Sequence, residues 1–147
     1  MHYVSQLLSV GSPPALIPKL RGLLLMMTTF CLLDWAVKWA DLFTSIPHQA
    51  SRSLLMLPLY TLLVLAILFM VRTRLTMLGG ALLLGGCYAN LIDVNMDGVA
   101  WNMIPIWNDL YCNVADIEIV LGIITLTVSV IWRLIVLKQN GLLVAST

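Results

Sequence analysis

The chain has 147 residues, of which 61% are hydrophobic and 10% charged, with a mean hydropathy of +0.97. A soluble domain of this length is nearer half apolar and a quarter charged, so this excess reads as a chain whose solvent is a bilayer. A net charge of +1 gives no reason to expect nucleic acid or another polyanion as a partner.

In chain order, residues 1–18 contain "GSPPALIP" and read as a cytoplasmic or interfacial tail, with no cleavable signal peptide. Four apolar stretches follow, at about 22–42, 54–71, 75–93 and 114–137. Each suits a hydrocarbon core that about 20 helical residues cross. The expected fold is therefore all-α, a single four-span membrane domain over 1–147. Pro58 belongs in the first turns of the second span, where its missing N–H costs least. In the third, Ala81, Gly85 and Ala89 form small-xxx-small spacings that let another helix approach closely. Cys31, Cys87 and Cys112 are odd in number and lack metal-type spacing, and read as packing residues.

Charge placement predicts the orientation. Lys19 and Arg21 precede the first span, Arg72 and Arg74 lie between the second and third, and Arg133 and Lys138 close the fourth. The 93–113 connection has no lysine or arginine, and 43–53 has only Arg52. Basic residues favour the cytoplasmic side, so both termini are expected there, with Asp93 and Asp116 at the outer face.

Those acids are the informative residues. Asp34 and Lys38 share a face of the first span four positions apart and can pair. They are either a structural ion pair or a tie between the first helix and a site on the others. Asp93 ends the third span and Asp116 opens the fourth, each three residues behind an asparagine, Asn90 and Asn113. Two carboxylates brought close in a low-dielectric site share a proton, the arrangement by which aspartic proteases activate water. The bland alternative is that both acids cap helix ends. Asp116, with Asn113 before it and Glu118 after, suits a helix N-terminus. Asp93, placed at a helix C-terminus, does not.

The motifs "D-x-x-x-K", "A-N-L-I-D", a glycine-containing loop and "N-V-A-D", in that order, resemble lipoprotein signal peptidase (signal peptidase II) over about residues 28–42 and 79–126. The resemblance implies a four-helix membrane aspartyl peptidase with no cofactor. Such enzymes cut the signal peptide from lipid-modified prolipoproteins at the outer side of the cytoplasmic membrane. It implies membrane lipids and a lipid-modified protein as partners. Asp93 and Asp116 match the catalytic pair, and Asn90 and Asn113 match the asparagines of "G-N-x-x-D-R" and "F-N-x-A-D". Asp34 and Lys38 match the ends of the first motif, Gly98 matches the loop glycine, and Asn102 falls where an aspartate is common.

The departures are Val94 for the arginine after the first aspartate, and Trp35 and Val37 within the first motif. Ala89 and Cys112 stand before the two asparagines. The first outer connection, "FTSIPHQASRS", reads as too short for the family's β-cradle. In it, Arg52 is a candidate to take over the role of the arginine absent at 94, and His48 reads as a solvated loop residue. Trp101 and Trp107 read as interfacial anchors.

Three classes of function fit: an aspartyl peptidase using Asp93 and Asp116, a non-catalytic subunit or scaffold of a larger membrane complex, and a proton- or ion-handling protein. A metal enzyme is not expected, because the histidines are only His2 and His48, far from any ligand cluster.

Overall fold

The structure, a computed structural model, describes residues 16–40, 46–48, 56–71, 73–108 and 110–140. Its framework is four helices: α1 (Leu16–Trp39), α2 (Met56–Val71), α3 (Arg74–Asp97) and α4 (Val114–Gln139). Stretches of α1, α3 and α4 (Pro18–Trp39, Arg74–Met96 and Val114–Gln139) are long and apolar enough to cross a membrane, while α2 contributes a shorter apolar stretch, Leu57–Leu68. Pro58 is the third residue of α2, in the first turn as expected.

Two expectations are corrected. Asp93 does not end a helix, because "VNMD" contains no breaker and α3 runs on to Asp97. The stop comes from Gly98, at φ 74°, whose N–H bonds back to Val94 O at 3.0 Å. Only glycine takes that left-handed backbone without a steric cost. Asp93 therefore sits a full turn inside α3, on a face rather than at an end.

Nor is the fold purely α. Four short strands, β1 (Ile46–His48), β2 (Ala100–Asn102), β3 (Ile104–Trp107) and β4 (Leu110–Cys112), form two antiparallel pairs. β1 pairs with β2, with Pro47 opposite Trp101. β3 and β4 make a hairpin with an irregularity between Pro105 and Trp107, and Asn108 takes φ 46° in its turn. β1 finds its hydrogen-bond partners on β2 of the other connection, which pairs its strand edge.

α3 is the centre of the bundle, packed against all three other helices. Of its most apolar stretch 56% is buried, against 11% for α1 and 17% for α4, whose remaining apolar side chains face outward. Val120, Leu121, Ile124, Val128, Ile131 and Trp132 of α4 are all exposed, an arrangement that fits acyl chains rather than water. Val64, Leu83, Leu84 and Leu126 form the core where α2, α3 and α4 meet.

The α3–α4 seam is closer than side chains allow. A Cβ on Gly86 would lie 2.3 Å from Ala115 O, and one on Gly122 would lie 2.5 Å from Leu83 N. Backbone meets backbone at both points, so neither helix can carry a side chain there. At the other end of α3, the hydroxyls of Thr73, Thr76 and Ser129 bond to one another at 2.7–3.0 Å and fasten the start of α3 to α4. Thr73 is also the N-cap of α3, accepting from Thr76 N at 3.0 Å.

Gly86→Ala is expected to destabilise the protein by about 1–3 kcal/mol, because a backbone must move to admit one methyl group. Gly22→Ala, whose Cβ would meet only the flexible tip of Met77 at 3.2 Å, serves as the near-neutral control. Thermal unfolding of both variants in detergent measures the difference.

Candidate active site

The close seam brings together one end of α3 and the start of α4. Asn113, in extended backbone, is the N-cap of α4. Its Oδ1 accepts from Asp116 N at 2.8 Å, while Asp116 Oδ2 accepts from Asn113 N at 3.3 Å, a reciprocal capping box. The cap reading of Asp116 is thus part of the geometry. The same carboxylate reaches further, because its Oδ1 accepts from Asn90 Nδ2 of α3 at 2.9 Å.

Asn90 and Asn113 are both fully buried and bond directly, Asn113 Nδ2 donating to Asn90 Oδ1 at 2.7 Å. Asn113 Nδ2 also lies 3.2 Å from Trp101 O and 3.2 Å from Asn102 Oδ1. Asn102 in turn donates from Nδ2 to Tyr111 O at 3.1 Å, tying β2 to β4. A chain of amides therefore runs from the strands through α4 to α3, and it orients Asp116.

Asp93, 5% exposed, is one helical turn from Asn90 on α3. Its Oδ2 is bonded to the Lys38 ammonium, which also bonds Asp34 Oδ2. Asp34, fully buried, uses its other oxygen to accept from Ala115 N at 2.9 Å. Ala115 is among the first residues of α4, whose N–H groups have no partner inside the helix, so Asp34 caps α4 from a different helix. The ion pair expected within α1 is present, and it extends across the bundle to both other elements.

The structure brings together Asp34, Lys38, Asn90, Asp93, Asn102, Asn113 and Asp116. Gly98 stays apart from them, exposed at the end of α3. Arg52 lies outside the described residues, and His48 is placed only through the backbone pairing of β1 with Ala100. Sequence reasoning missed the Ala115 N–H and the main-chain oxygens of Trp101 and Tyr111, because no side-chain pattern marks a backbone donor or acceptor. It also read Glu118 only as a further negative charge at the start of a helix. In the structure Glu118 is 4% exposed, and neither carboxylate oxygen has a hydrogen-bond partner among the described residues. The spacing Ala115, Glu118, Gly122 along the inward face of α4 was the available signal.

Cys112 precedes the cap and is buried. Burial pushes its thiol above the usual cysteine range, and the Asp116 charge raises it further. Among the described residues no group of three or more His, Cys, Asp or Glu side chains is placed to hold a metal ion.

Long apolar helices enclosing a polar cluster define a multi-pass membrane protein. The family model described as Signal peptidase (SPase) II matches residues 40–132, and the chain belongs to that family. Two solved structures, each described as a bacterial membrane enzyme determined by the in meso method, share the fold. The one at 1.9 Å has a TM-score of 0.58 and 16% identity, covering 74% of this chain and 92% of its own. The other, at 2.3 Å, has a TM-score of 0.54 and 16% identity, covering 81% and 90%. At that identity the likeness is one of fold. No match was found among curated proteins.

Lys38→Met should cost about 3–5 kcal/mol of stability, since it leaves Asp34 and Asp93 buried without their cation. Denaturant or thermal unfolding in lipid or detergent checks this. Cys112 is expected to react slowly with a maleimide at neutral pH, and Asp116→Asn to accelerate that reaction by removing the charge that opposes the thiolate. Labelling followed by mass spectrometry reads out the rate.

Proposed function

We propose that this chain is an intramembrane aspartyl peptidase that removes the signal peptide from a lipid-modified prolipoprotein or a similar membrane-anchored substrate. Family membership supports a lipoprotein signal peptidase role. The single observation that supports the assignment to particular residues is where two networks meet. Those holding Asp93 (Lys38, Asp34 and Ala115 N) and Asp116 (Asn90 and Asn113) join at the adjacent residues Ala115 and Asp116 at the start of α4. Asp93 and Asp116 are the proposed catalytic pair. One takes a proton from water as the water oxygen attacks the scissile carbonyl carbon. The other gives a proton to the amide nitrogen as the carbon–nitrogen bond breaks. No metal or cofactor enters these steps.

The supporting residues have distinct tasks in this reading. Asn90 and Asn113 orient Asp116, and Lys38 with Asp34 fixes the position of Asp93. Asn102 anchors the strands over the site, Gly98 ends α3 before them, and Arg52 is proposed to take over the anion- or carbonyl-binding role of the arginine absent at 94. The chain is read as one domain over 1–147, with α2 as the fourth, shorter span. The distribution of basic residues supports a reading with both termini in the cytoplasm and the acids at the outer face of a bacterial cytoplasmic membrane. There the acids meet a substrate whose lipid anchor lies in the outer leaflet. A scaffold or subunit role gains no support from the buried acids, since desolvating several carboxylates is a cost that packing alone does not call for.

Purified protein in lipid is expected to cleave a diacylglyceryl-modified prolipoprotein, with Asp93→Asn and Asp116→Asn each lowering the rate by about 10²–10⁴-fold or more while leaving the fold intact. Cleavage that survives in either folded variant would remove that aspartate from the reaction. No cleavage by folded wild type would sink the substrate assignment.

A further inference from the structure

Of the eight Lys and Arg residues, five (Lys19, Arg21, Arg74, Arg133 and Lys138) lie at the start of α1, the start of α3 and the last turns of α4. Contacts between the helices bring those ends to one level. A Cβ on Gly22 of α1 would lie 3.2 Å from Met77 Cε of α3. Gly22 follows Arg21, and Met77 is one turn from Arg74. On α4 the Ser129 hydroxyl bonds those of Thr73 and Thr76, so Arg133, one turn further along the same face, is held where α3 begins. The buried carboxylates lie toward the opposite end of these helices, where Gly86 of α3 meets Ala115 of α4.

No acid offsets the basic end. None of the seven acidic residues falls within 1–33, 42–92 or 119–147, the segments that contain this end of every helix. The net charge of +1 conceals that segregation. Lys19, Arg21, Arg74 and Lys138 are exposed. Arg133 is partly buried, and its Nε is shielded from solvent with no hydrogen-bond partner among the described residues. A buried N–H left unpaired is costly, so this one calls for an acceptor. Beside it the Trp132 ring is exposed, and exposed tryptophan on a membrane helix is enriched at headgroup depth.

The acceptor that a bilayer offers at that depth is phosphate, which guanidinium groups bind through paired N–H donors. We infer that the end of the bundle formed by α1, α3 and α4 binds the headgroup of an anionic phospholipid, with Arg74 and Arg133 on its phosphate and Lys19, Arg21 and Lys138 around them. A phosphatidylcholine headgroup carries the same phosphate together with its own cation, which the surrounding basic residues repel. This lipid contact is independent of the peptidase reading, since it lies at the other end of the helices from Asp93 and Asp116.

Native mass spectrometry of the full chain in detergent, titrated separately with phosphatidylglycerol and phosphatidylcholine of matched acyl chains, measures the affinity of the first bound lipid. Phosphatidylglycerol is expected to bind about tenfold or more tightly, and added salt to narrow that difference. The double variant Arg74→Gln/Arg133→Gln should lose about tenfold in phosphatidylglycerol affinity and leave phosphatidylcholine binding nearly unchanged. The salt dependence is read on the unaltered protein, so it decides the matter even where the double variant does not fold. Equal affinities for the two lipids, or a preference indifferent to salt, would overturn the site. A folded double variant that keeps the full preference would remove Arg74 and Arg133 from it. Displacement of phosphatidylglycerol by an equal concentration of inorganic phosphate would assign the site to a free anion instead of a lipid.

Discussion

One ammonium holds the polar centre of this protein together. Lys38 bonds Asp34 on its own helix and Asp93 on α3, and Asp34 passes the connection to the first turn of α4 through Ala115 N. Three helices thus converge on a single cation among buried carboxylates. In a low-dielectric interior the attraction between unlike charges is poorly screened, and so is the repulsion among the acids. The cluster is therefore stable only as a set. Each acid is tolerable because another group has been placed against it by a different helix.

That placement depends on backbone contact. Gly86 against Ala115 and Gly122 against Leu83 let α3 and α4 approach until Asn90 can reach Asp116 at 2.9 Å. Van der Waals packing supplies the association in a membrane, where burial of apolar surface does not distinguish a neighbouring helix from lipid. Once the seam is closed, the amides relay position rather than charge. Asn113 contacts α3, β2 and its own helix at once, so the short strands and the helix ends are fixed in one frame.

Much of this was legible in residue patterns. The i, i+4 relation of Asp34 and Lys38 and the spacing of Asn90 and Asp93 follow from the helical period, while the same spacing of Asn113 and Asp116 is that of a capping box, with Asn113 in extended backbone. What escaped was of two kinds. The extension of α3 to Asp97 was hidden because the hydropathy falls at Asp93 while the helix persists, and only the left-handed Gly98 marks the true stop. The strands escaped because each is three or four residues long and β1 pairs with a connection fifty residues away. Pairing of that kind is decided by where the helices bring the loops, and nothing local announces it. Between α1 and α2, the strand β1 is added to one carried by the connection between α3 and α4.

At Asp116 the helix cap is observed, and its geometry is compatible with the role proposed for that carboxylate. Its two oxygens face different ways: Oδ2 closes the capping box with Asn113, and Oδ1 turns to α3 and Asn90. A cap fixes both the depth and the rotation of a short side chain to within a hydrogen bond, which is what a reacting carboxylate also requires. Asp34 shows the same economy from the other side, capping α4 with one oxygen and holding Lys38 with the other. A membrane protein this small has few polar groups to spend, since each must be desolvated. Groups that are already satisfied by helix termini are the ones that can be held in position, and the candidate site is built on the start of α4.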